Sequence, residues 1–437
     1  MIEPTSTPDT ASDDEAIDAA PSRKLLQILG PGLITGASDD DPSGIATYSQ
    51  VGAQFGFDMG WVMLFSWPLM CAIQEISAHI GRVTGRGVAG NLKAHYPRSI
   101  LIGLVGLLLT ANTINLGADL GAMAAALKLV VGGPQLIYVG LFGLVSLLLE
   151  VFVRYSRYVS ILKWLTLALL AYVGVAFVVH VDWRSVGFHL IAPTILWNSD
   201  YLTSLVAVLG TTISPYLFFW QAEEEVEDAK ERQGARPLDR APRQAKAEFA
   251  RIRVDTYLGM GLSNVVALFI IITTAATLHA HGVTDIQTSS QAAQALEPIA
   301  GHATFVVFAL GIVGAGLLAV PVLAGSAAYA TGEAFGWHVG LARRLRRAPS
   351  FYATIAIATL VGVVLNFTPI DPIKALFWSA VINGVVAVPV MVMMMLLATR
   401  HTVMGPFTLT RGLVIVGWAA TGVMAVAAIG MLATIGH

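Results

Sequence analysis

Long apolar runs follow one another along this chain and are separated by short polar segments. A helix that crosses a bilayer needs about 20 mostly apolar residues, so each run of that length predicts one membrane span. The pattern predicts eleven spans, near residues 26–54, 60–82, 100–128, 134–153, 158–180, 200–226, 254–280, 301–332, 351–368, 373–398 and 411–434. The composition agrees, since 55% of the residues are hydrophobic and 12% are charged. We therefore expect an all-α polytopic membrane protein with 11 transmembrane helices.

The positive charges are concentrated in alternate loops. Lysine and arginine residues follow every second span, as shown by Arg82, Arg154, Lys230, Arg343 and Arg400. Because loops rich in Lys and Arg stay in the cytoplasm, the pattern predicts a cytoplasmic N-terminus and an external C-terminus in the plasma (inner) membrane. Residues 1–22 are acidic and polar, which predicts a disordered cytoplasmic tail. Residues 23–434 form the predicted transmembrane domain.

Two spans are interrupted by proline at corresponding positions. The first span is broken at Asp41–Gly44 and the sixth at Ser214–Tyr216. The breaks lie five spans apart, as expected for two five-helix repeats of opposite topology. We therefore expect repeat one over about 26–180 and repeat two over about 200–398, with the span at about 411–434 as an extra helix.

Each break exposes polar backbone groups inside the membrane. Proline has no N–H and clashes with the carbonyl one turn earlier, so the freed carbonyl oxygens need protein, water or a cation as partners. The ends of the half-helices carry partial charge, and Asp41 adds a full negative charge. Together the breaks predict a cation site. The alternative is that the prolines only kink the two helices, but ionisable groups inside a membrane are usually functional.

Several motifs resemble those of the Nramp family of divalent metal transporters. The segment QEISAHIGRVTGRG (74–87) resembles the family's end of helix 2, and ADLGAMAAAL (118–127) and VLAGSAAYATGEAFG (322–336) resemble its helices 3 and 8. The breaks at 41–44 and 214–216 stand where the family has Asp-Pro-Gly-Asn and Met-Pro-His. The resemblance covers nearly the whole chain after about residue 26, and it implies a LeuT-type 5+5 inverted repeat with helices 1 and 6 broken.

The resemblance also implies a set of metal-binding positions. The family's ligands fall on Asp41, Gly44, Thr211 and Ser214, so the family's amide and thioether are absent here. Thioethers favour softer transition metals, whereas oxygen ligands suit Mg²⁺ and Mn²⁺, so a harder site with extra room at Gly44 is expected. This departure resembles the Nramp-related magnesium transporters. The resemblance therefore implies a secondary transporter that moves Mg²⁺ and/or Mn²⁺ into the cytoplasm by alternating access.

The hydroxyls of Thr211 and Ser214 have an alternative role. Serine and threonine in helices often donate to the carbonyl of the preceding turn. Asp40 is a secondary candidate that could coordinate through water. Asp39 and Asp40 could instead accept hydrogen bonds from free N–H groups where the second half-helix begins. Asn383 is another secondary candidate, although hydrogen bonding between helices is an equally simple role for it.

The family's proton pathway is incomplete in this sequence. The family is thought to use an Asp and a Glu on helix 3 and a His on helix 6. Asp119 remains, but the other two positions hold Ala122 and Tyr216, so we expect transport with weak or no proton coupling. Asp119 and Tyr216 are therefore secondary site candidates. Asp119 could instead pair with Lys128 or Lys163.

An acidic cluster lies where the sixth span is predicted to meet the cytoplasm. Its members are Glu223, Glu224, Glu225, Glu227 and Asp228. Such runs are usually solvated faces that pair with nearby arginines, here Arg232 and Arg236. The alternative is an exit vestibule for cations.

Other classes of function are disfavoured by the sequence. Cys71 is the single cysteine, so no intrachain disulfide can form, and the ten histidines form no HExxH motif. We expect no enzymatic activity, no cofactor, no nucleic-acid partner and no obligate protein partner. The expected partners are the metal ion, as the substrate, and the lipid bilayer that surrounds the protein. The alternatives are a cation-coupled amino acid transporter of the same fold, whose substrate carboxylate the aspartates would repel, and a sensor that does not transport.

Overall fold

The computed structural model describes residues 31–153, 166–232, 234–341, 343 and 345–434. Within these ranges all regular secondary structure is helical. The predicted tail at 1–22 and the first part of the predicted fifth span lie outside the described residues. The all-α class predicted from the apolar runs is confirmed for the part of the chain that the structure describes.

The first half of the described chain contains the helices that correspond to the predicted first repeat and its connections. They are α1 (Pro31–Asp39), α2 (Pro42–Phe55), α3 (Trp61–Thr84), α4 (Val88–His95), α5 (Arg98–Val131), α6 (Gln135–Phe152), α7 (Leu170–Val178) and α8 (Trp183–Ile191). The second half contains α9 (Ser199–Thr212), α10 (Pro215–Glu231), α11 (Ala245–Thr277), α12 (Thr304–Phe335), α13 (Pro349–Leu365), α14 (Pro372–Ala398) and α15 (Arg411–Thr434). Short helices such as Ser289–Gln294 lie in the connections.

Both predicted breaks are present, and both follow from proline. Pro42 is the first residue of α2, and Pro215 is the first residue of α10. Proline favours this position because its missing N–H has no helical partner there. It also pushes the preceding residue into an extended conformation, as seen at Asp41 (φ −69°, ψ 167°) and Ser214 (φ −79°, ψ 132°). The broken helices 1 and 6 are therefore confirmed.

Small residues let the helices around the breaks approach closely. On α14, a Cβ added to Gly384 would lie 2.6 Å from the carbonyl oxygen of Val206 on α9. On α1, a Cβ added to Gly32 would lie 2.7 Å from the backbone nitrogen of Thr256 on α11. Such contacts between small residues are the usual way for helices to pack in membranes. They hold α1 against α11, and α9 against α14.

The number of spans is only partly established. Among the described residues, seven helices are long and apolar enough to cross a membrane, or eight if the bent pair Leu167–Val178 and Trp183–Ile191 is one span. Other predicted spans do not meet this test for separate reasons. The break divides α1 from α2, α3 carries Glu75 and Arg82 in its second half, and α13 has only 17 residues. The count of eleven and the boundaries of the two repeats therefore stay predictions.

Candidate metal site

Two tyrosines join the interrupted helices. On α10, the Tyr216 hydroxyl donates to the carbonyl oxygen of Ser38 at 3.2 Å and lies 3.5 Å from Asp41 Oδ2. On α9, the Thr211 hydroxyl lies 3.0 Å from the Tyr48 hydroxyl of α2. The structure therefore brings the two breaks into direct contact.

The Asp41 carboxylate lies in this contact and is 2% exposed. Its Oδ1 accepts hydrogen bonds from the Gly44 backbone N–H and the Ser43 hydroxyl, both at 2.7 Å. Its Oδ2 accepts a hydrogen bond from the Asn115 amide of α5 at 3.0 Å. Asp41 is therefore the N-cap of α2 and also the point where α5 joins the broken helix.

Asp39 and Asp40 are turned towards α11 instead. The Ser263 hydroxyl of α11 lies 2.7 Å from Asp39 Oδ2 and 3.0 Å from Asp40 Oδ1. Both side chains are buried. The alternative in which these two residues cap the second half-helix is wrong. Asp41 takes that position because it directly precedes Pro42 and reaches the N–H groups of the first turn.

The hydroxyls of Thr211 and Ser214 are satisfied within the sixth broken helix. Thr211 donates to the Val208 carbonyl at 2.8 Å. Ser214 lies 2.6 Å from the Gly210 carbonyl and 2.8 Å from the Thr211 carbonyl. This is the back-bonding that the sequence left open as an alternative. A donating hydroxyl keeps oxygen lone pairs, so both oxygens are still able to contact a cation.

The expected room at Gly44 is filled by its neighbours. A Cβ added there would lie 3.2 Å from the Tyr48 ring, 3.3 Å from Asp41 Oδ1 and 3.3 Å from the Asp39 carbonyl oxygen. The prediction of extra space at this position is therefore wrong for this conformation. Gly44 instead contributes its backbone N–H to Asp41.

Two secondary candidates, Asp119 on α5 and Asn383 on α14, are buried, and Asp119 lies close to the backbone N–H of Ser43 at the start of α2. Within the described residues, neither the Asp119 carboxylate oxygens nor the Asn383 amide atoms form a side-chain hydrogen bond that meets ordinary geometry. No ion pair joins Asp119 to Lys128 in this part of the chain, and Lys163 lies outside it. Asp119 is close enough to Asp41 for the two charges to interact.

The sequence analysis missed Asn115, which contacts Asp41 directly. The Ser379 hydroxyl of α14 donates to Asn115 Oδ1 at 2.6 Å, and this fixes the amide with its nitrogen towards Asp41. Asn112, Asn115 and Asp119 are spaced three and four residues apart, so they lie on one face of α5. That polar face on an otherwise apolar span was the available signal.

The charge of the three aspartates is not balanced by a protein cation. Within the described ranges, none of them forms an ion pair with Lys, Arg or His. In the same ranges, no group of three or more His, Cys, Asp or Glu side chains is arranged to hold a metal. A cation here would be held by Asp41 with carbonyl, hydroxyl and water oxygens. Mg²⁺ commonly binds in this way, through one or two carboxylates and several waters.

Sequence comparison finds relatives over almost the whole chain. The divalent metal cation transporter MntH of Klebsiella pneumoniae (strain 342) is 27% identical over 424 residues, which cover 95% of this chain and 96% of that protein. The protein of the same name from Deinococcus radiodurans is 28% identical over 406 residues, covering 91% and 87%. Both are named as transporters and not as enzymes, and a transported metal is a substrate rather than a cofactor, as the sequence analysis expects.

Solved structures share the fold. The manganese transporter of Eremococcus coleocola, in complex with an aromatic bis-isothiourea compound, matches with a TM-score of 0.71 at 17% identity, covering 95% of this chain and 89% of that one. Mhp1, a nucleobase-cation-symport-1 family transporter, matches with a TM-score of 0.56 at 14% identity, covering 93% and 92%. These likenesses confirm the predicted LeuT-type fold of a multi-pass integral membrane protein.

A family model covers the same region. The Nramp model, described as natural resistance-associated macrophage protein-like, matches residues 32–434. The match includes both helix breaks and the motifs at 74–87, 118–127 and 322–336 from which the resemblance was inferred. The chain therefore belongs to the Nramp family.

Proposed function

We propose that this protein is a secondary transporter that moves a divalent metal cation, Mg²⁺ and/or Mn²⁺, into the cytoplasm by alternating access. The observation that carries the proposal is the Asp41 carboxylate, which is buried where two broken helices meet and contacts neutral donors. An ionised carboxylate in such a place is strongly unfavourable without a positive partner. A metal cation that arrives from solution supplies that partner.

The proposed ligands are all oxygen atoms. Asp41 provides the carboxylate, while Thr211 and Ser214 provide carbonyl or hydroxyl oxygens beside it, and Gly44 lines the site through its backbone. Asp40, Tyr216, Asp119 and Asn383 are secondary members that bind directly or through water. An oxygen site of this kind favours Mg²⁺ and Mn²⁺ over metals that prefer sulfur.

The named relatives support metal transport, and the departures in sequence support Mg²⁺ as a substrate. Relatives of this chain are called divalent metal cation transporters, and a structural neighbour is called a manganese transporter. The methionine and asparagine that the family has at its site are replaced here by Ser214 and Gly44. Loss of the thioether removes the ligand that favours softer metals.

We propose that the membrane potential, rather than a proton gradient, drives entry. Ala122 and Tyr216 replace two residues of the family's proton pathway, so Asp119 has no partner for proton relay among those positions. For a protein of the inner membrane with a cytoplasmic N-terminus, a doubly charged ion gains about 4.6 kcal/mol per 100 mV on entering. That gradient is sufficient to accumulate a divalent cation.

Flux into proteoliposomes tests the proposal. Influx of Mg²⁺, Mn²⁺ and Ca²⁺ is measured for the wild type, for Asp41→Ala and for the control Asp58→Ala. Asp58 lies in the turn between α2 and α3, and its carboxylate pairs with His189 of α8. We expect Asp41→Ala to lower influx by about a hundredfold, as expected for losing one charged ligand, while Asp58→Ala keeps normal influx. A pH dye inside the vesicles should show little acidification. Influx that does not depend on Asp41 contradicts the proposal.

A further inference from the structure

The helix α10 carries polar residues along the face that looks towards α12. Tyr216, Glu223 and Glu227 are spaced seven and four residues apart, so they share one face of the helix. Between them, the Trp220 ring packs edge-on against Tyr329 of α12, with the ring centroids 6.2 Å apart. This face begins at the Asp41 site and runs to the end of the helix.

Glu223 meets a second acidic side chain on this face. Glu223 is 3% exposed, and within the described residues its Oε1 has no hydrogen-bond partner. A Cβ added to Gly87 would lie 2.6 Å from Glu333 Oε2 and closer still to Glu223 Oε1. The two carboxyl groups are also close enough for their charges to act on each other. Two acidic groups from α10 and α12, one buried and one half-buried, therefore lie together beside Gly87.

Glu333 is held in position by the backbone. Its two carboxylate oxygens accept hydrogen bonds from the N–H groups of Gly87 at 2.8 Å and Gly90 at 2.7 Å, where α4 begins. These bonds favour the ionised form of Glu333, because a carboxylate is a stronger acceptor than a neutral carboxyl group. Lys230 and Glu227 lie close enough to act on Glu223 with opposite charges. Lys230 also acts on Glu333, and its own side chain is exposed.

On the opposite side of α10, a buried carboxylate is paired with an arginine. Glu225 is fully buried, and Arg251 of α11 donates a hydrogen bond to it. Glu223 lies two residues earlier on the same helix and has no arginine partner in the described part of the chain. On the α12 side of this helix, Lys230 acts on Glu223 from a longer distance and forms no ion pair with it in the described part of the chain.

Trp220 separates this acidic pair from the Asp41 site. Glu223 lies nine residues beyond Ser214, which corresponds to about 14 Å along a helix. Trp220 is fully buried, and a Cβ added to Gly325 of α12 would lie 2.7 Å from its ring. The ring therefore packs between α10 and α12 at a level between Ser214 and Glu223.

We propose that Glu223 and Glu333 form a second divalent-cation site, which the transported metal occupies after it leaves the Asp41 site. This inference rests on the proposed function. Mg²⁺ binds through one or two carboxylates and keeps several waters, so two carboxylates from different helices are sufficient. Because the site bridges α10 and α12, metal bound there also holds these two helices together until release.

Mn²⁺ binding to the purified protein tests the second site. The variant is Glu223→Gln, which has nearly the same size and can donate a hydrogen bond to Glu333 but has no charge, and the control is Glu231→Gln at the exposed end of α10. We expect about two Mn²⁺ per chain in the wild type and the control, and about one in Glu223→Gln and in Glu333→Gln. Mn²⁺ influx in Glu223→Gln should fall about tenfold, equivalent to about 1.4 kcal/mol.

Thermal unfolding without metal shows whether the variants fold. Gln can hydrogen-bond Glu333 without repelling it, so Glu223→Gln should unfold at the same temperature as the wild type or higher. Added Mn²⁺ should raise that temperature less in Glu223→Gln than in Glu231→Gln. Normal Mn²⁺ binding and influx in Glu223→Gln, together with loss of influx in Asp41→Ala, overturn this site alone. Normal influx in both variants overturns the proposed function as well.

Discussion

The Asp41 break (residues 39–44) and the N-terminal end of α11 both bury carboxylates, but only the second region pairs them with arginine. At the end of α11, Arg251 pairs with Glu225 and Glu248, and Arg82 lies 3.2 Å from Glu248. At the break, the aspartates contact hydroxyls, an amide and backbone N–H groups. Carboxylates with a fixed counter-ion join helices, whereas those without one are available to a cation that binds and leaves.

The arginine network is defined here as Arg82, Arg232, Arg251, Glu225 and Glu248. It joins α3, α10, α11 and the residue after α10 at one end of the molecule. Burial would raise the pKa of Glu248, but the Arg251, Arg232 and Arg82 guanidinium groups lower it to about 2. This region is therefore already neutralised by the protein itself. We expect substitutions here to change stability and substitutions at the Asp41 break to change metal binding.

The largest effect on stability is expected for Arg251→Ala. The substitution leaves the fully buried Glu225 without its counter-ion, and breaking such a pair lowers the free energy of unfolding by about 3–5 kcal/mol. The control is Arg243→Ala, whose exposed side chain lies just before α11, and its free energy of unfolding should stay within about 0.5 kcal/mol of wild type. Both free energies of unfolding are measured on the purified protein in detergent. Equal free energies of unfolding for Arg251→Ala and Arg243→Ala would contradict the claim that the arginine network stabilises the fold.

A smaller effect is expected when acid removes the charge of Glu248. Its pKa is about 2 in the folded protein against an ordinary value of 4.5. Because the folded-state pKa is lowered, its contribution to stability is complete above about pH 4.5 and is lost as the pH falls towards 2. The free energy of unfolding of the wild type should therefore exceed that of Glu248→Gln by about 2–3 kcal/mol near pH 6. Near pH 3 the difference should be smaller. A difference that does not change with pH would show that the charge is unimportant.

The smallest of these effects concerns Asn115 at the Asp41 break. Asn115→Ala removes a hydrogen bond to the Asp41 carboxylate, so metal influx should fall about tenfold while the Asp41 charge remains. The control is Asn112→Ala, three residues earlier on α5, whose amide contacts the Leu323 carbonyl and Ser326. Proteoliposome influx compares the two. An equal loss in both would mean that the contact with Asp41 has no special role.

The sequence predicted the parts of the site that depend on local chemistry. Pro42 and Pro215 determine where the half-helices begin, and Asp41 stands out as a carboxylate directly before one of them. These features need only the residues within one helical turn. The family resemblance then indicated the fold and the matching positions in the sixth span.

The remaining features depend on contacts between residues far apart in the chain. The sequence could not show that Asn115 turns towards Asp41, or that Ser263 takes Asp39 and Asp40 away from it, because no local pattern fixes how α5 and α11 rotate. The filled space at Gly44 is a local contact with the Tyr48 ring one turn later, but the direction of that ring also had to be seen in the structure. Side-chain orientation at the site therefore required the structure.

Mn²⁺ binding to purified Asp41→Asn is the most direct test of the central claim. The substitution keeps the size of the side chain and its hydrogen-bonding oxygen but removes the charge. We predict that Mn²⁺ affinity at this site falls by about a hundredfold, equivalent to about 2.7 kcal/mol, while the unfolding temperature without metal stays the same or rises. Unchanged Mn²⁺ affinity in a folded Asp41→Asn protein would contradict the claim that the uncompensated charge at the break binds the metal.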